Sequence, residues 1–161
     1  LLQLKLNSMK SSHRHLQRQC VLQALFAKDQ HLEGVYSNFL ERTLEEYASE
    51  VPNVEFAEHL YKRSVLFQDQ AYELITEFAP AWPVGKLSPI DRVILVLGLT
   101  ELCTDSEVPK LVVINEAVEL AKEFGDDNSS KFINGVLSNV AEKKLNLELK
   151  NKNDQPKVST K

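Results

Sequence analysis

The sequence predicts an all-α protein, and three observations carry that prediction. Apolar residues recur at three- and four-residue spacing along most of the chain, the mark of amphipathic helices. No segment sustains the period-two alternation of a half-buried strand. The tetrapeptide Ser88-Pro89-Ile90-Asp91 is a strong helix start: serine suits the N-cap, proline the first helical position, and an acid the positive end of the dipole. The 161 residues suffice for one domain of ordinary size. A content of 43% hydrophobic and 26% charged residues, with only 5 Gly and 6 Pro, excludes collagen-like and Pro/Gly-rich classes.

The elements follow in order. A first helix is expected from about Ser12 to about Lys28, and a second from about Glu33 to Ser49 with Tyr36, Phe39, Leu40, Thr43 and Tyr47 on one side. Pro52 ends the second and Asn53 caps a third, whose stripe runs from Ala57 through Leu60, Ser64, Ala71 and Ile75 to Phe78. Residues 80–85 hold two prolines and cannot form regular helix; they read as a loop pinned by Trp82. After Ser88, residues 93–97 are all apolar, as expected of the buried centre of a bundle. A turn at 105–109 leads to a fifth helix with Ile114, Ala117, Val118, Ala121 and Phe124 inward and Gly125 after its end. A last helix begins near Asn128 or Ser129 and turns Ile133, Val136, Leu137, Val140 and Ala141 inward. Gly135, in mid-helix, suggests a close helix crossing, and Asn115 and Asn134 read as hydrogen-bonders between helices. The sum is a bundle of six to seven helices spanning residues 10–149. Residues 150–161 read as a disordered polar tail. Residues 1–9 read as a disordered or non-native extension, because the only methionine is Met9.

Charge is distributed unevenly. Residues 1–28 carry five cations and no acid. The remainder has 14 basic and 23 acidic residues, a balance of −9. The basic end points to an anionic partner. On a helix, Arg14, His15 and Arg18 share an arc of about 100°, with Lys10 upstream and Phe26 further along its edge. Cations beside an aromatic suit single-stranded RNA.

Chemistry is harder to place. The chain has no glycine-rich phosphate loop and no nucleophile motif. Cys20 and Cys103 sit at apolar helical positions and read as buried, inert thiols; two cysteines far apart fit a reducing cytoplasm. His13 and His15 point about 200° apart on a helix and make no chelating pair. Glu116, Glu119 and Glu123 read as a solvated outer face. No apolar run approaches the roughly 18 residues of a membrane span. No enzyme, metal or cofactor is expected.

The second half of the chain carries a more specific signal. Residues 113–125, VINEAVELAKEFG, and 130–137, SKFINGVL, resemble the signature of the NusB family of bacterial transcription antitermination factors. Residues 90–95, IDRVIL, with Glu101-Leu102, and residues 18–26, RQCVLQALF, support the resemblance upstream. It implies a helical fold in two small subdomains and a non-enzymatic, RNA-binding role in the cytoplasm. It further implies that the protein pairs with NusE, a small-subunit ribosomal protein. The pair binds boxA-like single-stranded RNA and helps the RNA polymerase antitermination complex resist termination, notably on ribosomal RNA operons. The RNA-binding residues implied are Lys10, Arg14, His15, Arg18, Phe26, Asn128, Lys131 and Phe132, and Asp91 faces NusE. The chain departs from the family in having His13, His15 and Leu16 where arginines are common, and Val96 where an arginine is frequent. Two other readings compete: a protein-only helical scaffold, and the NusB-like domain that precedes an RNA cytosine methyltransferase. The second needs a Rossmann-like domain and a catalytic cysteine, for which the chain ends too soon.

Overall fold

The computed structural model describes residues 2–30, 38–47 and 53–146, with side chains from residue 13 onward. Six α-helices and no strand form among these residues: α1 Leu2–Asp29, α2 Phe39–Glu46, α3 Glu55–Phe78, α4 Pro89–Thr104, α5 Lys110–Phe124 and α6 Ser129–Asn139. A 3-10 turn, Val84–Lys86, precedes α4, and a π-helical segment, Val140–Leu145, continues α6. The backbone of α1 thus runs on through residues 2–9 and past Ser12, which is no N-cap. Its side chains up to residue 12, residues 33–37 and 48–49 of the expected second helix, and the tail expected from residue 150 lie outside the described residues.

Helix α4 organises the rest. Ser88 Oγ accepts from the Asp91 amide at 3.2 Å, and Pro89 opens the helix, as its start signal requires. Eleven of its residues are buried, because α1, α3, α5 and α6 all pack on it. Thr100 sits in this apolar surround with its hydroxyl donating to Val96 O at 2.7 Å, so no polar hydrogen is left unpaired there. Leu60 and Ile75 of α3, Leu120 of α5, and Ile133 and Leu137 of α6 complete the core.

The start of α3 is capped from two directions. Asn53 Oδ1 accepts from the Glu55 amide at 2.9 Å, and Gln17 Oε1 of α1, buried, accepts from the Ala57 amide at 3.0 Å. Helix starts leave such amides without intrahelical partners, and here a distant side chain supplies one. At the other end of α1, Asp29 accepts from Arg92 Nε at 3.0 Å and Nη2 at 2.6 Å, which ties that end to the start of α4.

The glycines correct the expected crossing. Gly135 is exposed, with nothing within 4 Å of where a Cβ would stand. The close crossing is at Gly98, where a Cβ would come 3.1 Å from Leu137 Cδ1 and 3.4 Å from Ala117 Cβ. Gly125 ends α5 in extended rather than left-handed backbone. Its glycine is required by space, since a Cβ would stand 2.5 Å from Ser129 Cβ and 2.7 Å from Ala121 O. Asn115 and Asn134 are exposed and do not tie helices together.

Two substitutions separate these roles. Gly98→Leu overpacks the α4–α6 contact and lowers stability by about 1–3 kcal/mol. Gly135→Ala removes backbone freedom without a clash and raises it by about 0.5–1 kcal/mol. Thermal melting of both variants checks the pair.

Candidate nucleic-acid interface

Among the described side chains of α1, Arg18 and His15 turn to the protein and Arg14 to solvent. Arg18 is 2% exposed, and its Nε donates to Glu101 Oε2 at 3.0 Å while Nη2 donates to Glu101 Oε1. Its Nη1 lies 3.7 Å from Glu116, and its guanidinium carbon is 4.9 Å from the centroid of the Phe56 ring. Glu101 is 1% exposed in the apolar body of α4; a carboxylate there demands a charged partner. Arg18 is therefore not an exposed phosphate ligand, contrary to the arc read from α1. The arc correctly put Arg14, His15 and Arg18 on one side, but periodicity does not say what covers that side.

His15 is also engaged. Nδ1 lies 2.6 Å from Glu116 Oε2 and Nε2 lies 2.8 Å from Glu123 Oε1. Glu116 and Glu123 thus face α1 instead of forming a solvated face; of the three acids on α5, Glu119 alone is left to a surface pair, with Lys122 at 3.1 Å. Burial disfavours the charged imidazole, but the two carboxylates outweigh it and hold the His15 pKa above its ordinary 6.5. Arg14 is the exposed cation of the set, stacked 4.9 Å from the Phe56 centroid. It borders a polar cleft lined also by His13, His59, Lys62 and the Arg63–Asp105 pair. The side chain of Lys10 lies outside the described residues.

The remaining expected residues divide between two places. Phe26 is half-buried against the core, about 18 Å along α1 from Arg14. Asp91 is only 9% exposed and its Oδ1 has no hydrogen-bond partner, so it does not offer a surface acid to a partner.

Asn128, Lys131 and Phe132 do come together. They line a mostly apolar groove of about 530 Å³ between the end of α3, the following loop and the start of α6. Its opposite wall is Trp82, which sequence reasoning took as a loop anchor. The indole is 58% exposed and meets the Phe132 ring edge-on, with centroids 6.0 Å apart and planes at 63°. Part of the signal was present: prolines at 80 and 83 keep this segment out of the helix. Lys131 and Asn128 stand exposed at the rim. The tight turn before α6 is held by Asp126 Oδ1, which accepts from the amides of Asn128 and Ser129 at 2.8 and 3.1 Å.

Cys20 is fully buried, and burial pushes its thiol up to about 11, as expected of an inert core cysteine. Among the described residues no helix is long and apolar enough to cross a membrane.

Comparison with known proteins now decides the family. The model of the NusB family matches residues 15–142. The chain belongs to the NusB family. The transcription antitermination protein NusB of Dehalococcoides mccartyi strain CBDB1 is 46% identical over 132 residues, covering 81% of this chain and 91% of that protein. The protein of the same name from Bacillus subtilis is 37% identical over 127 residues, covering 79% and 93%. Among solved structures, T. maritima NusB superposes with a TM-score of 0.71 at 30% identity, covering 81% of this chain and 91% of that one. A chain in a crystal structure described as a plectonemic RNA supercoil superposes with a TM-score of 0.69 at 26% identity, covering 80% and 93%. The chain is thus an all-α member of a family of antitermination factors, which are not enzymes.

The buried pair makes a sharp expectation. Arg18→Ala leaves Glu101 uncompensated and costs about 3–5 kcal/mol of folding stability. Joint replacement, Arg18→Met with Glu101→Leu, restores most of that loss, since well-packed apolar substitutes are often neutral. Denaturant unfolding of the single and double variants measures the difference.

Proposed function

We propose that this chain binds unpaired boxA-like RNA and, together with NusE, acts in the RNA polymerase antitermination complex on nascent cytoplasmic transcripts such as those of ribosomal RNA operons. The observation that carries the reading is the Trp82–Phe132 groove with Lys131 and Asn128 at its rim. An exposed indole edge-on to a second ring offers one open face on which a base can stack. A lysine beside it reaches a phosphate, and an amide can hydrogen-bond a base edge. Family membership supports the reading, as does the likeness to a chain whose structure is described by an RNA supercoil.

The reading reassigns residues. Of Arg14, His15 and Arg18, Arg14, exposed at the cleft between α1 and α3, is the cation left for phosphate, while Arg18 and His15 hold the helix in place. Asp91, 9% exposed, offers NusE little of its carboxylate in the free protein. A protein-only scaffold would leave an apolar groove with an exposed tryptophan unexplained.

Trp82 is the only tryptophan, so its emission reports on the groove directly. Titration with boxA RNA quenches that emission, and a scrambled RNA of equal length binds more weakly; NusE widens the gap. Phe132→Ala costs about 1–3 kcal/mol of RNA affinity, and Lys131→Ala lowers the salt slope by about 0.7. Equal binding of both RNAs, with Trp82 emission unchanged, refutes the reading.

A further inference from the structure

We propose that His15 is an imidazolium strut, which donates from both ring nitrogens to Glu116 and Glu123 and makes the docking of the basic end of α1 onto α5 depend on one proton. The geometry argues it. Ionised carboxylates only accept hydrogen bonds, and each ring nitrogen faces one of them, at 2.6 and 2.8 Å. A neutral imidazole has one donor and one acceptor nitrogen, so it can satisfy only one of these contacts and sets a lone pair against the other carboxylate. Only the doubly protonated ring makes both.

The surrounding charges fit that state. Gln19 of α1 donates to the other oxygen of Glu123, Oε2, which leaves Oε1 for His15. Arg18 approaches Glu116 only through Nη1, at 3.7 Å, because Glu101 of α4 takes its Nε and Nη2. Arg14 and Arg18 both lie against the uncharged Phe56 of α3. On α5, Lys122 is occupied by Glu119. Among the described residues, Glu123 has no cationic partner besides His15, and Glu116 has only the longer approach of Arg18 beside it.

The sign of the effect follows. Protonation is favoured more in the folded protein than in the unfolded chain, where the ordinary value of 6.5 holds. The stabilisation is complete below that value and is lost as pH rises through the higher folded value. The strut is a property of the free protein and stands apart from RNA binding.

Two measurements test it. In the wild-type protein, ¹⁵N spectra of the histidine ring show both nitrogens of His15 protonated at pH 6, with a titration midpoint above 6.5. In melts, wild type exceeds His15→Gln by about 2–4 °C at pH 6, and the margin closes toward pH 9. His15→Lys, whose charge persists to about 10.4, keeps its margin over His15→Gln at pH 9. In a Glu116→Gln/Glu123→Gln background, the histidine–glutamine margin is absent at every pH. A His15 midpoint at or below 6.5, or parallel pH profiles for wild type and His15→Gln, overturns the strut.

Discussion

One guanidinium touches three neighbouring helices. Arg18 of α1 pairs with Glu101 of α4, approaches Glu116 of α5 and packs on Phe56 of α3. Helix α4 is apolar around its circumference and needs cover on every side, but Glu101 within it needs a charge. A helix that could bury α4 without supplying an arginine at that height would leave a desolvated carboxylate, at a cost of several kcal/mol. The fold therefore depends less on the size of the core than on the register of α1 against α4. That register also places Gln17 over the start of α3 and Asp29 against Arg92. Three contacts spaced along α1, near its middle and at its end, lock the same alignment.

This alignment changes the meaning of the basic N-terminal segment. Counted along the sequence, its cations form an excess looking for an anion. In space, Arg18 and His15 meet acids drawn from the second half of the chain. The charge asymmetry thus reflects complementarity between α1 and the α4–α5 pair as much as any external ligand. The RNA proposed above would meet a different chemistry, apolar and aromatic, at the groove where α6 begins beside the loop after α3.

Much of the fold was legible because helices announce themselves locally. The Ser88–Asp91 start, the apolar circumference of α4 and the stripes of α3, α5 and α6 are near-neighbour patterns, and the structure reproduces them except at Phe124, which stands exposed at the end of α5 instead of turning inward. The family, too, was legible from the two blocks at 113–125 and 130–137, and the family model matches across both. The site was less legible, because exposure is a tertiary property. Arg14 and Arg18 look alike on a helical projection, yet Glu101, 83 residues further on, separates their fates. Gly98 and Gly135 look alike as mid-helix glycines, and only the passage of Leu137 tells them apart. Trp82 was read only as the anchor of its loop, because its partner Phe132 comes from a distant helix that local pattern does not bring to it. Asn128, Lys131 and Phe132 were grouped correctly, since neighbours at the start of one helix stay neighbours in space.

The turn between α5 and α6 has a consequence of its own. Gly125 has no room for a side chain, and Asp126 fastens the amides that follow, so the number of residues between the two helices is fixed by contact. Each residue added to or removed from such a junction rotates the next helix by about 100°. Rotation by that amount would carry Phe132 away from Trp82 and swing Ile133 and Leu137 off α4. Core and groove would be lost together. Length variation in this family is therefore expected to avoid the junction ahead of α6, which keeps its span.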